Sequence, residues 1–131
     1  MTALTLPRVD LRAKLSALWI FLLINMIYAD ILSFSLADTV RDILAGNAGG
    51  ITITPEFMLL AAVMTEIPMV MVIASRLLNY RLNRLANIVS GIFTIVYVIG
   101  LGSLTPHYIF IASIEVLCAA WIVWLAWQWR D

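Results

Sequence analysis

Three carboxylic acids lie inside long apolar stretches of the sequence, where ionisable side chains are costly. They are Asp30, Glu66 and Glu115. Acids in such positions by default face a protein interior or a wet cavity and mark a functional site. Carboxylates gathered in a low-dielectric site cannot all stay ionised, because desolvation and mutual repulsion both favour the protonated form. Such a site could bind a cation, exchange protons, or donate hydrogen bonds to a carbonyl or hydroxyl group of a ligand.

The three acids lie at similar depths along their apolar stretches. With a helical rise of about 1.5 Å per residue, counted from the outer end of each stretch, Asp30 lies about 8 Å deep, Glu66 about 14 Å and Glu115 about 10 Å. Tyr28 and Tyr97 both come to about 10 Å by the same count. The sequence therefore predicts a candidate site of these side chains in the outer half of a bundle, with no Lys or Arg at that depth to pair with the acids.

A stripe of polar residues recurs along the third apolar stretch. Their spacing alternates between four and three residues, which places all of them on one helix face. The stripe suits a water or proton path leading inward from the acids. It also suits interhelical hydrogen bonds, which Asn, Ser and Thr commonly form in membrane bundles. The members of this polar stripe are Asn83, Asn87, Ser90, Thr94 and Tyr97.

The elements that must position these residues follow from composition. Of the 131 residues, 63% are hydrophobic and 12% are charged, and the mean hydropathy is +1.01. A soluble domain has about half its residues apolar and about a quarter charged, so this chain carries more apolar surface than a core of its size could hide from water. Crossing a bilayer takes about 20 apolar residues. Four stretches qualify as spans, namely 15–35, 57–78, 86–104 and 108–129.

The predicted fold is all-α, a single membrane domain over residues 1–131 arranged as a four-transmembrane-helix up-down-up-down bundle. Thr54-Pro55 and Thr105-Pro106 each match an N-cap followed by proline at the first helical position, so they predict where spans two and four begin. Within the outer loop 36–56, residues 37–45 match a short amphipathic helix on the outer surface that ends at Gly46, and residues 51–54 alternate like an extended stretch leading into span two. An irregular loop over this whole segment is the alternative.

The basic residues predict the orientation, because short cytoplasmic loops are rich in Lys and Arg. Only Arg41 lies on the side of the outer loop. Both termini are therefore expected in the cytoplasm, with the loop 36–56 and His107 outside, and His107 is expected to be a solvated turn residue. The basic residues on the cytoplasmic side are Arg8, Arg12, Lys14, Arg76, Arg81, Arg84 and Arg130.

Several classes of function are excluded by what the sequence lacks. The net charge is zero, so no basic field favours nucleic acid. A single cysteine, Cys118, and a single histidine, His107, cannot build a His/Cys metal or haem site, so no metal and no cofactor is expected. A di-iron bundle requires Glu-x-x-His motifs, and no histidine lies three residues after any of the acids. No phosphate loop or nucleophile elbow occurs either, so the absence of catalytic motifs argues against an enzyme without deciding the question.

Several segments carry a family resemblance in matching order along most of the chain. They are LSALWI (15–20), NMIYAD (25–30), TEIPM (65–69), SR (75–76), NRLANI (83–88) and IE (114–115), followed by a tryptophan-rich end. These segments resemble a family of short bacterial four-helix membrane proteins whose function is unknown. The resemblance implies a multi-pass protein of the cell inner (cytoplasmic) membrane and supplies no activity. In size and layout the chain is also distantly similar to the DoxX-like and emopamil-binding groups.

Three functions are consistent with the sequence. The first is a small transport or ion- and proton-handling protein whose acids form an outward-opening site, and a homo-oligomer would then complete a two-sided pathway. The second is a membrane enzyme or binding protein for a lipophilic ligand such as a quinone, sterol or lipid, with Glu66 and Glu115 as acid and base. The third is a structural or accessory subunit. The expected partners are the lipid bilayer, a second copy, and a cation, proton or lipophilic ligand.

Overall fold

A computed structural model describes residues 10–130, which form five helices and a hairpin of two short strands. Arg8, which contributes to the predicted orientation, lies outside the described residues. Four of the helices are long and apolar enough to cross a membrane, so the all-α prediction is confirmed. The elements are α1 Leu11–Ser33, α2 Ala37–Leu44, β1 Asn47–Ala48, β2 Ile51–Thr52, α3 Pro55–Leu77, α4 Tyr80–Gly100 and α5 Pro106–Gln128.

Proline is the first residue of both α3 and α5, as the two Thr-Pro pairs predict. At α3 the Thr54 hydroxyl oxygen accepts a hydrogen bond from the Phe57 N–H at 3.1 Å, which completes the cap. At α5 the Thr105 side chain does not cap the helix. Its backbone N–H donates to the Ser103 hydroxyl oxygen at 3.2 Å, and the two hydroxyl oxygens lie 3.1 Å apart. Thr105 is therefore the N-cap residue, as predicted, but its side chain contacts Ser103 and makes no capping hydrogen bond.

The helix α4 begins at Tyr80, earlier than the hydropathy pattern predicts. Asn79 caps it, since the side-chain oxygen of Asn79 accepts a hydrogen bond from the Leu82 N–H at 3.1 Å. The first turns of α4 carry Arg81 and Arg84. These charged residues lower the local hydropathy, so a hydropathy window does not detect the start of the helix. The connection to α3 is consequently a tight turn, and residues 79–85, which separate the second and third predicted spans, are mostly helical.

The four long helices form a closed ring in which α1 packs against α3 and α5, and α4 packs against α5 and α3. The contact between α3 and α4 is the smallest of the four. Three of the largest buried side chains, Trp19, Leu15 and Ile122, lie in the half of the bundle where α1 and α4 begin. We call this half the basic end, because it carries Arg12 and Arg84, and the half that carries α2 and the hairpin the loop end.

The basic end is held together by side chains that bond the carboxyl ends of helices. Arg84 Nε donates to the Ala126 carbonyl at 3.1 Å, and the Tyr80 hydroxyl donates to the Trp129 carbonyl at 2.7 Å. Arg12 donates to the carbonyl of Leu78, the residue that ends α3. Cations near the carboxyl end of a helix are favourable because the last carbonyls have no intrahelical donor. These contacts fix α1 to α3 and α4 to α5.

At the loop end, the segment between α1 and α3 is folded. The helix α2 is followed by a hairpin in which Asn47 pairs with Thr52 and Ala48 with Ile51. Its turn is made by two glycines with φ of 59° and 86°, which suits the type I′ geometry of a two-residue hairpin. The amphipathic helix and the extended stretch predicted from the sequence are both present, and the irregular-loop alternative is wrong.

Gly91 lies where α4 packs tightly against α5. A Cβ atom at this position would lie 2.5 Å from Val123 Cγ2 and 3.4 Å from the Ala119 carbonyl oxygen. We expect Gly91→Val to lower the free energy of unfolding by about 1–3 kcal/mol, the usual cost of overpacking. Gly100→Val is the control, because nothing lies within 4 Å of a Cβ atom at Gly100. Unfolding in mixed micelles measures both variants, and equal stabilities would contradict the close approach.

Candidate functional site

Glu115 is the only charged side chain that is buried among residues 10–130. It is 2% exposed, and within the described part of the chain its Oε1 atom has no hydrogen-bond partner. Ala119 and Ala126, on the same face of α5, are fully buried. Small residues on this face let a neighbouring helix approach closely. A buried polar atom without a partner costs about 1–3 kcal/mol and is rare in native proteins. This unpaired carboxyl is therefore the first candidate for a functional side chain.

Three further side chains at the same end of the bundle complete what, together with Glu115, we call the acid–tyrosine cluster. Asp30 of α1, Tyr97 of α4 and Tyr108 of α5 line one cavity. Tyr108 precedes Glu115 by about two helical turns on the same face of α5. The Lys and Arg residues of the four long helices all lie at the basic end, so the cluster is acidic.

A cavity of about 660 Å³ lies beside the acid–tyrosine cluster at the loop end. Asp30, Tyr97 and Tyr108 supply polar groups to its lining. The cavity lies between α3 and α4, the pair of helices with the smallest contact. A largely apolar cavity with a few polar groups is the usual form of a small-molecule site. The apolar residues that line it include Ile51, Phe57, Leu60, Ala61 and Met64.

A hydrogen-bonded contact holds the ends of α1 and α5 together next to this cavity. The Ser33 hydroxyl donates to the Ala29 carbonyl at 2.9 Å, and His107 Nε2 lies 3.0 Å from the same hydroxyl oxygen. Since Asp30 precedes Ser33 by about one turn and Tyr108 follows His107, the contact positions both cluster residues. His107 is half-buried, so the expectation of a solvated turn residue is corrected.

Glu66 does not join the cluster. It lies on the exposed face of α3, in a groove with Ala62 and Val63. At about 100° per residue, Glu66 is about 180° around α3 from Phe57, which lines the cavity. Tyr28 also faces outward and is 56% exposed. The candidate site predicted from depth therefore loses Glu66 and Tyr28, because equal depth does not fix the side of the helix on which a residue lies.

Asn87 is the centre of a hydrogen-bond network that joins three helices at the basic end. Its side-chain oxygen accepts from Trp19 Nε1 at 2.8 Å and from the Ser75 hydroxyl at 3.3 Å. Its amide nitrogen donates to the side-chain oxygen of Asn83 at 2.7 Å, and Asn83 in turn donates to the Ser75 carbonyl at 2.7 Å. These contacts favour the interhelical interpretation of the polar stripe over a water path. The buried members of the stripe are Asn83, Asn87, Ser90 and Thr94.

Sequence reasoning misses Tyr108, Ser33 and Phe57 as site residues. A signal exists for Tyr108, because its spacing from Glu115 places both on one face of α5. No comparable signal exists for Ser33 or Phe57, whose roles depend on how α1 and α3 pack against the other helices.

The chemistry available to the site comes from carboxyl and phenol groups. Among the described residues no group of three or more His, Cys, Asp or Glu could hold a metal ion. Two carboxyls can exchange protons or oppose a cation, and tyrosine rings attract cations through their π faces. The cavity lining adds apolar surface for the body of a ligand.

Four apolar helices of spanning length define this chain as an integral membrane protein. The chain belongs to a family of unknown function, DUF6326, which matches residues 8–131. No curated protein and no solved structure matches the chain. The family covers nearly the whole chain and assigns no activity, so the site geometry must carry the functional argument.

Proposed function

We propose that the protein is a small transport protein that takes up an organic cation at the loop-end cavity in exchange for protons on Asp30 and Glu115. The observation that carries this proposal is the acid–tyrosine cluster beside a largely apolar cavity, with the Lys and Arg residues of the long helices at the opposite end. Asp30 is the carboxyl that lines the cavity and would oppose the cation, and the buried Glu115 carboxyl, whose Oε1 has no hydrogen-bond partner among the described residues, would be the second proton site.

Charge balance in a low-dielectric site explains the exchange. Two carboxyls are neutral when protonated, and a cation that replaces a proton keeps the site close to neutral, which limits the desolvation cost. Tyr97 and Tyr108 offer ring faces and hydroxyl oxygens to such a ligand. A bare Ca²⁺ or Mg²⁺ would instead require about six oxygen ligands. A cation whose body rests on Phe57 and Met64 suits the lining better.

The orientation belongs to the same proposal. The loop end faces the outside and the basic end faces the cytoplasm, in the inner membrane of a bacterium. The excess of Lys and Arg supports this orientation, since Arg41 alone among the described basic residues lies at the loop end. The cavity then opens toward the external solution.

Transport requires a second conformation. The cavity lies at the loop end, while the Asn87 network and the Trp19 side chain fill the opposite half of the bundle. The smallest contact in the ring is between α3 and α4, so we propose that these helices separate at the basic end when the ligand is released inward. The hydrogen bond from the Asn83 side chain to the Ser75 carbonyl would break in that step.

A second candidate is a binding protein for a neutral lipophilic ligand, such as a quinone, sterol or lipid. The apolar lining of the cavity favours it, and a protonated Asp30, which lines the cavity, would then donate a hydrogen bond to a ligand carbonyl. An enzyme with Glu66 and Glu115 as acid and base has no support, because Glu66 lies on the opposite side of α3 from the cavity. The two candidates differ in whether binding at the cavity depends on a positive charge on the ligand.

Uptake of tetraphenylphosphonium into vesicles that contain the purified protein tests the proposal. An imposed proton gradient should drive uptake by the wild type. Asp30→Asn should slow it at least about fivefold, because a charged partner at a partly exposed position contributes about 1 kcal/mol or more. Glu56→Gln is the control, since Glu56 is an exposed acid in the first turn of α3, and its uptake should equal that of the wild type.

Two results would contradict the proposed function. One is the absence of gradient-driven uptake by the wild type for tetraphenylphosphonium, ethidium, Na⁺ and K⁺. The other is wild-type uptake by Asp30→Asn. A neutral lipid that co-purifies with the protein and protects a cysteine placed at Met64 from labelling would favour the second candidate.

A further inference from the structure

We propose that two copies of the chain associate through the exposed face of α3, with their Glu66 carboxyls hydrogen-bonded to each other. Glu66 is the central residue of α3, midway between Pro55 and Leu77. A helix of this length spans the hydrocarbon, so Glu66 lies at the middle of the bilayer on an outward-facing surface. A polar group facing hydrocarbon is costly unless it finds a partner.

The first half of α3 has little contact with the rest of the bundle. The buried residues of this helix are Pro68, Met71 and Ser75, all in its second half. Around Glu66 the exposed face forms an open groove of about 510 Å³. The residues that line the groove with Glu66 are Ala62, Val63, Ile67 and Val70.

A second copy of the chain meets the requirements of this groove. The four long helices have no Lys or Arg near the middle of the bilayer, so one copy cannot offer a basic partner to another. A protonated carboxyl donates and accepts hydrogen bonds at once and is therefore its own complement. A two-fold axis along the bilayer normal brings identical residues to the same depth. Ala62, about one turn from Glu66, allows the two α3 helices to approach closely.

The interface is separate from the cavity of the proposed function. Glu66 and Phe57 lie on opposite sides of α3, so pairing through the Glu66 face leaves the cavity open. Failure of either proposal would therefore leave the other standing.

Cysteine cross-linking in vesicles tests the pairing. In a Cys118→Ala background, Ala62→Cys places a thiol in the groove, and Ile92→Cys places one on the exposed face of α4 at a similar depth. At low protein-to-lipid ratio, oxidation should cross-link Ala62→Cys at least about tenfold faster than Ile92→Cys, because pairing raises the effective concentration of the facing thiols.

Two substitutions of Glu66 separate the carboxyl contact from simple proximity. Glu66→Leu should abolish cross-linking through Ala62→Cys, whereas Glu66→Gln should retain it, because an amide also donates and accepts hydrogen bonds. Circular dichroism and thermal unfolding of each variant check that the fold is unchanged. Equal cross-linking at the two thiol positions, or undiminished cross-linking in Glu66→Leu, would overturn the pairing. A purified protein that stays monomeric in vesicles would also overturn it and would leave Glu66 to a partner protein with a basic side chain.

Discussion

Glu115→Leu is expected to raise the free energy of unfolding while weakening cation binding. The Glu115 side chain is 2% exposed, and within the described residues its Oε1 has no hydrogen-bond partner. Leucine removes that unsatisfied group and keeps most of the side-chain volume, so stability should rise by about 1–3 kcal/mol. Replacing buried charged groups by well-packed apolar residues is often stabilising in this way.

The same substitution removes one of the two carboxyls whose charge would balance the cation in the proposed function. A carboxylate near a bound cation but not in contact with it contributes about 1–2 kcal/mol at an effective dielectric constant of about 20, which corresponds to an affinity loss of at least about fivefold. Tetraphenylphosphonium binding in detergent micelles, followed by equilibrium dialysis, should therefore weaken by that factor or more. A gain in stability combined with a loss of function is typical of residues kept for their activity.

The control for Glu115→Leu is the same substitution at Glu66. Glu66 lies on the side of α3 that faces away from the cavity, so Glu66→Leu should leave tetraphenylphosphonium binding in micelles unchanged. A less stable Glu115→Leu variant would contradict the interpretation of an unpartnered carboxyl. Undiminished binding by that variant would contradict the proposed function.

The sequence predicts those parts of the fold that depend on local pattern. Hydropathy identifies the four long helices, and proline fixes the first residue of α3 and of α5. The alternating spacing of polar residues in α4 identifies the face that the structure buries, from Asn83 to Thr94. The small residues Ala119 and Ala126 indicate the face on which Glu115 is buried.

The sequence cannot predict how α1 and α3 are rotated about their axes. Both helices are apolar on nearly all sides, and amphipathic periodicity is what normally identifies the inward face of a helix. Depth alone therefore groups Glu66 and Tyr28 with the other candidate residues, although both side chains face outward. The cavity depends on the spacing between α3 and α4, and no local sequence pattern in either helix predicts that spacing.

Asn87→Leu is expected to be strongly destabilising. The substitution keeps the size of the side chain but leaves Trp19 Nε1, the Ser75 hydroxyl and the side-chain oxygen of Asn83 without the partner that Asn87 provides. Interhelical hydrogen bonds in membranes are worth about 0.6–1.7 kcal/mol each, and an unpaired buried group costs about 1–3 kcal/mol. The free energy of unfolding should consequently fall by about 2–4 kcal/mol, measured by unfolding in mixed micelles.

Thr94→Val is the matched control, because Thr94 is equally buried and its hydroxyl donates to the Ser90 carbonyl within the same helix. Its loss should stay below about 1 kcal/mol, since no interhelical bond breaks. A cycle with Trp19→Phe should be non-additive, because Trp19 and Asn87 share a hydrogen bond. Similar losses in Asn87→Leu and Thr94→Val would contradict the network.

Uptake per folded molecule separates the two interpretations of the polar stripe. An unchanged rate in Asn87→Leu means that the network only joins helices. A changed rate means that opening of the network at the basic end is a step of transport.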